Sequence, residues 1–356
     1  MKLESLLAYC TAAEFGRLTQ QLQLMQLQVS DLRAIDIGLS NHSFCLTALH
    51  TSGATQRYLL RINAPVTDVI CDRTNEVACW RSAEAAGLAP TLYWVDPLNR
   101  FYLAQWLDET SANAPNLTPW QQFSARQSLS SAELADQVRG HSPASLLHAS
   151  QQLPINHTEQ QLLSKLQPLL LGLRQLPAPA LDISLARQWH IYVERLQQMR
   201  DSNNFAQHNA KDGAGWLQRF EQLQQFDCRS VLSQLDEVLI QHQYCHRDLS
   251  ANNLLLTAER LMCVDFEYCC SSHPLFELVG VLATHQLSPV AQQQLIGGYL
   301  LQHPYVTVDA LAALPAALDI FWLYSCAWAL QMADGQCKDA SEFFSWFDNY
   351  WQLVRK

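Results

Sequence analysis

The run Cys245-His246-Arg247-Asp248-Leu249-Ser250-Ala251-Asn252-Asn253 contains the pattern H-R-D-x-x-x-x-N. Cys263-Val264-Asp265-Phe266-Glu267 follows, with carboxylates on an apolar, strand-like segment. These residue types at this spacing suit phosphoryl transfer. Asp248 can orient an attacking hydroxyl or accept its proton, and His246 stands beside it in the same loop; the two are the candidate catalytic residues. Asn253 lies where a loop can turn it back toward a metal. Asp265 offers hard carboxylate oxygens of the kind Mg²⁺ takes together with substrate phosphates. Asn253, Asp265 and Glu267 form the candidate metal set.

Such a loop needs a scaffold, and the composition supplies one. The chain has 356 residues, 49% hydrophobic and 16% charged, enough for two lobes with substantial cores. Its 23 basic and 33 acidic residues give a net charge of −10. With no basic block, nucleic acid and anionic membranes are not expected partners. Eleven cysteines at irregular positions, without a C-x-x-C pair, point to reduced thiols and a cytoplasmic setting. Cys269 and Cys270 lack a matching Cys/His pair, so zinc is not expected. The start carries an early acid and does not look like a signal peptide. The apolar stretch 309–333 is interrupted by Pro315, Asp319 and Gln331, so no membrane insertion is expected.

Hydrophobic periodicity predicts helix over residues 1–30. It then predicts short strands at 33–37, 43–50, 56–63, 91–96 and 100–107, with Gly53 in a turn. A helix at 71–86 carries Val77, Trp80 and Ala83 on one side, and Gly87 and Pro90 end it. This is a small α+β nucleotide-binding lobe, residues 1–107. The Ser-, Gln-, Ala- and Pro-rich stretch 108–157 reads as a linker and loosely ordered insertion. Residues 158–356 read as a helical catalytic and acceptor-binding lobe. Its helices are expected at 158–174, 184–200, 214–225, 228–241, 275–285, 288–302, 308–333 and 340–354. Two short strands, 253–257 and 261–265, interrupt them.

The small lobe carries the candidate nucleotide residues. Ile37-Gly38-Leu39-Ser40-Asn41-His42-Ser43-Phe44 joins two predicted strands, and its turn could aim N–H groups, Ser40 and Asn41 at phosphate oxygens. Arg61 is a lone cation in the apolar strand Leu59-Leu60-Arg61-Ile62. Glu76, in Asp72-Arg73-Thr74-Asn75-Glu76, can pair with it, as a Lys and a Glu do in protein kinases. Arginine's planar fork grips both phosphate and carboxylate. With Gln105 these make the cofactor-binding set: Ser40, Asn41, Arg61, Glu76 and Gln105.

Taken in order, I-G-L-S-N-H-S-F, L-L-R-I, D-R-T-N-E, G-L-A-P, H-R-D-L-S-A-N-N-L and V-D-F-E-Y resemble the choline/ethanolamine kinase group. That group lies within the aminoglycoside-phosphotransferase-like superfamily, which also contains thiamine kinases. The resemblance covers roughly 37–107 and 158–352. It implies a bilobal protein-kinase-like fold, with a small strand-rich N-lobe and a large, mostly helical C-lobe. It also implies ATP, Mg²⁺ and transfer of the γ-phosphoryl group to a small-molecule hydroxyl. Glu277 stands where family members often have Asp.

The expected acceptor is a small, cationic molecule of choline, ethanolamine or thiamine type. Late helices are rich in aromatic residues, whose faces attract quaternary ammonium groups. Tyr324, Trp328 and Trp346 are the candidate pocket rings, with Glu267 and Glu277 as candidate countercharges. Two other readings stay open: an aminoglycoside-type antibiotic kinase, and a catalytically silent kinase-fold binding protein.

Overall fold

A computed structural model describes residues 2–35, 41–51, 53–64, 71–107, 119–125, 127–202, 210–257, 260–333 and 340–354. The fold class is α+β, and the chain divides into two compact units. The first comprises Met1–Trp120 and Asn253–Cys269; the second comprises Gln121–Asn252 and Cys270–Lys356.

The first unit is built on a five-stranded antiparallel sheet: β1 (Leu27–Ile35), β2 (Asn41–His50), β3 (Thr55–Asn63), β4 (Leu92–Val95) and β5 (Phe101–Gln105), in the order β1-β2-β3-β5-β4. Alternation puts Phe44, Leu46, Ala48, Leu60 and Ile62 into one core. A short 3₁₀ turn, Leu3–Ala8, and helix α1 (Ala12–Leu24) precede the sheet, with Leu18 and Leu22 packed on it. The helix expected over 1–30 therefore stops at Leu24, and β1 begins three residues later. In β1, apolar Leu27 and Leu32 are buried while Gln28 and Asp31 are exposed, and one slip in register, between Val29 and Asp31, breaks the alternation a strand shows in sequence. Gly53 turns β2 into β3 at φ +87°, where a side chain would be strained.

Helix α2 (Arg73–Ala85) is capped by Asp72, whose side chain accepts from the Asn75 N–H at 3.0 Å. Its buried face is Arg73, Glu76, Cys79, Trp80 and Ala83, so two charged residues share the side expected to be apolar, and Val77 is only half-buried. The hairpin of β6 (Leu254–Leu256) and β7 (Leu261–Cys263) lies against the turn that follows this helix, Arg260 reaching Gly87 O and Cys263 reaching Leu88 O. Phe266 stacks on Trp80 with ring centroids 5.5 Å apart. The Cys263 N–H donates to Leu88 O at 2.8 Å, and Asn75 Nδ2 to Cys269 O at 2.7 Å. Residues 253–269 thus belong with the strand-rich unit, not with the helical lobe where the sequence places them.

The second unit is helical. It contains α3 (Ser131–Val138), α4 (Pro143–Gln151), α5 (His157–Arg174), α6 (Leu185–Asp201), α7 (Ala210–Gln224), α8 (Cys228–Val238), α9 (Pro274–Thr284), α10 (Pro289–Leu300), α11 (Ala310–Met332) and α12 (Ala340–Trp351). The strands Gln243–Cys245 and Cys270–Ser272 pair across it, Cys245 facing Cys270. At its centre lies α11, which runs through Pro315 and buries Asp319 completely. Among the described residues this is the helix long and apolar enough to cross a bilayer, with mean hydropathy 1.5, yet 83% of its apolar window is buried in the protein's own core. Trp216 and Trp322 fasten it by donating their indole N–H groups to Leu330 O and Leu129 O, each at 2.9 Å.

Residues 131–151, expected to be loosely ordered, form two capped and packed helices. Ser130 and Glu133 make a reciprocal capping box, and Ser142 caps α4 ahead of Pro143. Leu134 and Leu146 are buried. Weak periodicity hid them because each helix is short and buries only two or three side chains. Gly297 of α10 lets α4 come close: a Cβ there would lie 2.7 Å from Leu147 Cβ and 3.0 Å from its backbone.

Gly297→Val is therefore expected to cost about 1–3 kcal/mol. Gly16→Ala, where a Cβ meets nothing within 4 Å, should stabilise α1 by about 0.5–1 kcal/mol. Urea denaturation of both variants measures this, and a neutral Gly297→Val would show that α4 does not pack there.

Candidate functional site

The first unit gathers four charged side chains around one buried carboxylate, that of Glu76. Arg61 comes from the middle strand β3, Arg73 and Glu76 from the first turn of α2, and Asp265 and Glu267 from the segment after β7. Arg61 Nη2 lies 2.9 Å from Glu76 Oε1, and its Nη1 lies 3.1 Å from Asp265 Oδ1. Glu267 Oε2 is 3.6 Å from Arg61 Nη2. Glu76 is wholly buried; its other oxygen accepts from Arg73 Nη1 at 2.7 Å and from the Tyr102 hydroxyl at 3.1 Å. Burial alone would lower the pKa of Arg61, but Glu76, then Asp265 and Glu267, more than reverse this, so the guanidinium stays charged. Burial pushes the Glu267 carboxyl up, and Asp265 pushes it further, against the pull of Arg61.

The pairing of Arg61 with Glu76 is as expected, whereas Arg73 is a member that sequence reasoning missed. Its signal was present: Arg73 lies three residues before Glu76, one turn along the helix face that carries Trp80. Asn41 sits at the start of β2. Its Nδ2 donates to Glu267 Oε2 at 3.2 Å, and its Oδ1 accepts from Ala64 N at 3.2 Å. In this structure it braces the acidic segment. Gln105 closes on its neighbour strand, its Oε1 accepting from Thr91 N at 3.2 Å. Ser40 lies outside the described residues.

Asn253 and Asp265 are held close by the hairpin, since the Val264 N–H donates to Asn253 O at 2.9 Å. Asp265 adopts φ +66°, a left-handed conformation that costs energy for a side-chain-bearing residue and is found at functional turns. Its side chain is 34% exposed, against 4% for Glu267. Among the described residues there is no cluster of three or more His, Cys, Asp or Glu side chains able to hold a metal. The candidate donors are instead the accessible Asp265 carboxylate and the amide of Asn253, whose backbone is hydrogen-bonded to Val264. That fits Mg²⁺, which keeps waters and takes one or two carboxylates plus phosphate oxygens. Asp265 and Asn253 are the residues that would hold it, with buried Glu267 behind them.

The second unit holds the H-R-D loop. Both oxygens of Glu277, on α9, accept backbone N–H bonds from this loop: His246 N and Arg247 N, each at 2.9 Å. Glu277 is 1% exposed, so it is not a countercharge open to a substrate as expected. Burial raises its pKa to about 7, although the two N–H bonds and Arg247 pull the other way. His246 is fully buried, so it packs within the loop and is not a group open to substrate, contrary to its expected catalytic role. Asp248 is half-buried on the same loop.

Arg247, at φ +69°, turns its guanidinium over the rings of Phe276 at 5.2 Å and Tyr324 at 6.0 Å. Its Nη1 donates to Gln188 Oε1 at 3.2 Å and to Cys270 Sγ at 3.4 Å. Tyr324 is buried, its hydroxyl bonded to Leu185 O and its ring packed on Trp189 and Tyr192. That ring attracts a cation, but the cation is the protein's own Arg247. Trp328 and Trp346 are half-buried and stack on each other at 5.8 Å, with Phe343 edge-on to both.

The family described as the phosphotransferase enzyme family matches residues 31–314. No match is found among curated proteins. Among solved structures, the chain is similar to choline kinase LicA from Streptococcus pneumoniae, with 11% identity, TM-score 0.60, and 96% of this chain and 99% of that one covered. It is similar to the phosphotransferase of the gentamicin–APH(2")-IIa complex, with 14% identity, TM-score 0.58, and 97% and 99% covered. It is also similar to Plasmodium vivax ethanolamine kinase, with 14% identity, TM-score 0.52, and 99% and 92% covered. At such identities these likenesses show the fold.

Titration of Glu277 is expected to make the stability of the H-R-D loop depend on pH. Its pKa is raised in the folded protein, so its contribution to stability is complete below the unfolded value of 4.5 and lost as pH rises through about 7. Relative to Glu277→Gln, which cannot titrate, the wild-type protein should lose on the order of 3 kcal/mol across that window. Urea titrations of both proteins at several pH values read the difference. A flat difference would show that Glu277 does not titrate there.

Proposed function

We propose that this chain, which belongs to the phosphotransferase enzyme family, transfers the γ-phosphoryl group of ATP to the hydroxyl of a small amine-bearing alcohol. The observation that carries the nucleotide half is the buried Arg61–Glu76 pair beside Asp265. Arg61 is a charged fork on a rigid strand, suited to two phosphate oxygens at once. Mg²⁺ bound by Asp265 and Asn253 would neutralise charge on the phosphates. Asn41 contributes by fixing Glu267, and Ser40 and Gln105 complete the nucleotide set.

Asp248 is the residue for the acceptor. It orients the hydroxyl and takes its proton as the new O–P bond forms and the bond from the γ-phosphorus to its bridging oxygen breaks, releasing ADP. Glu277 fixes the loop that carries it, through two bonds to the backbone just ahead of Asp248. Holding that loop is a matter of geometry, and geometry is most of what a phosphoryl-transfer site supplies.

The acceptor class rests on chemistry shared by the proteins of similar fold, whose names specify choline, ethanolamine and an aminoglycoside, all amine-bearing alcohols. The Trp328–Trp346–Phe343 cluster offers a half-buried aromatic surface for the cationic end. Choline is the first acceptor to test. The net charge of −10 favours such a substrate over an anionic one.

Asp248→Ala is expected to lower kcat by about 10²–10⁴-fold while leaving nucleotide affinity unchanged. Asp265→Asn should instead weaken binding of the ATP analogue AMP-PNP with Mg²⁺, because the lost charge is the metal's. Coupled-enzyme turnover and calorimetry separate the two, and full activity of Asp248→Ala would overturn the assignment.

A screen of amine-bearing alcohols with ATP–Mg²⁺, read by mass spectrometry of the phosphorylated product, identifies the acceptor. The isostere with carbon in place of the charged nitrogen should bind at least about tenfold more weakly, since a cation over desolvated rings gains about 0.5–2 kcal/mol per ring. Trp328→Leu should remove much of that discrimination and leave AMP-PNP binding intact. Equal phosphorylation of cation and isostere would defeat the cationic-acceptor reading alone.

A further inference from the structure

We infer that Arg73 is a positioning residue: it keeps Glu76 and Glu267 neutralised so that Arg61 can leave Asp265 and turn to a nucleotide phosphate. The inference rests on the nucleotide reading above. Arg61 is shared among three carboxylates, at 2.9 Å from Glu76, 3.1 Å from Asp265 and 3.6 Å from Glu267. A phosphate must compete with all three for one guanidinium. If Arg61 turned away unaided, Glu76 and Glu267 would be stranded, and both side chains are almost wholly buried. Leaving a buried charge without a partner costs far more than losing an exposed one.

Arg73 reaches the same two carboxylates from the other side. Its Nη1 lies 2.7 Å from Glu76 Oε2 and 3.9 Å from Glu267 Oε2. It is itself buried, and its place in the first turn of α2 fixes its approach. Asp265 is the most exposed of the three acids, so it can exchange Arg61 for a metal ion at the least desolvation cost. The second nitrogen of Arg73 lies 3.5 Å from Asn41 Oδ1, and Asn41 in turn holds Glu267. The arginine therefore joins α2, the first residue of β2 and the acidic segment. The planar fork matters, because Nη1 faces the two carboxylates while Nη2 reaches Asn41, a spread that a lysine's single compact charge does not cover.

The test is calorimetry of AMP-PNP binding to wild type, Arg73→Met and Arg73→Lys, with Mg²⁺ and again in EDTA, at a temperature where circular dichroism shows each protein folded. With Mg²⁺, Arg73→Met is expected to bind at least about tenfold more weakly, and Arg73→Lys about threefold more weakly. The defect should shrink in EDTA, because release of Asp265 to the metal is the step Arg73 supports. A purely structural role would weaken both conditions alike, and that outcome overturns the inference. So does wild-type affinity with Mg²⁺ in either folded variant; if Arg73→Met fails to fold, Arg73→Lys decides alone. Failure of the wild-type protein to bind AMP-PNP at all would instead sink the nucleotide reading.

Discussion

The buried carboxylate of Glu76 is the constraint on which the first unit turns. A charge with no exposure is tolerable only when both oxygens are engaged. Here one oxygen faces Arg61, and the other takes Arg73 and the Tyr102 hydroxyl. Those partners come from β3, β5 and α2, so the sheet and the helix cannot shift past each other without stranding the charge. Once Arg61 is fixed by Glu76, its other nitrogen is aimed at Asp265. A single ion pair thus sets the position of the Arg61 fork and of the Asp265 carboxylate, the two groups proposed above to meet the phosphates and the metal.

Glu277 does a comparable job in the second unit, with backbone as its partner. Its two oxygens hold consecutive N–H groups at His246 and Arg247, and Arg247 takes a left-handed φ that few residues with side chains adopt. Asp265 shows the same strain. Both strained residues belong to the two motifs to which the chemistry is assigned above. Each is over-determined by neighbours: Arg247 by the Glu277 carboxylate, Gln188 and two rings, Asp265 by its hairpin and Arg61. Strain concentrated there is consistent with sites where geometry is fixed at some cost to stability.

Much of this was legible in the sequence. The motif spacing located the loop, the acidic segment and the Arg–Glu pair, because those roles depend on residue type and local spacing. Strands β2, β3 and β5 and nearly all the long helices were legible from periodicity. Other features depended on tertiary context. Only the end of β1, within the strand expected at 33–37, was legible, because a slip in register between Val29 and Asp31 disrupts the alternation ahead of it. The 131–151 helices were hidden because so few of their residues are buried. Arg73 was overlooked because a charged residue next to a cap reads as solvated surface unless its spacing from Glu76 and Trp80 is weighed, and its burial beside Glu76 settles the point. Residues 253–269 were assigned to the wrong unit because a hairpin's sequence does not say which surface it packs on; Phe266 against Trp80 decides that.

The aromatic residues show most sharply where sequence counting ends. Ten rings between Phe321 and Trp351 look like a cation pocket when only composition is visible. In the fold they serve different tasks. Trp322 donates its N–H to Leu129 and fastens the central helix; Phe347 is core; Tyr324 lies beneath a guanidinium. The same quadrupole that would attract a substrate ammonium is satisfied at Tyr324 by Arg247, and it steadies the H-R-D loop there. Under the function proposed above, recognition of a cationic acceptor would fall to rings whose faces are not already turned to a cation. Trp328 and Trp346 are such rings: they stack on each other with buried Phe343 edge-on to both, and they stay half-buried at the periphery of a core that the other rings have filled.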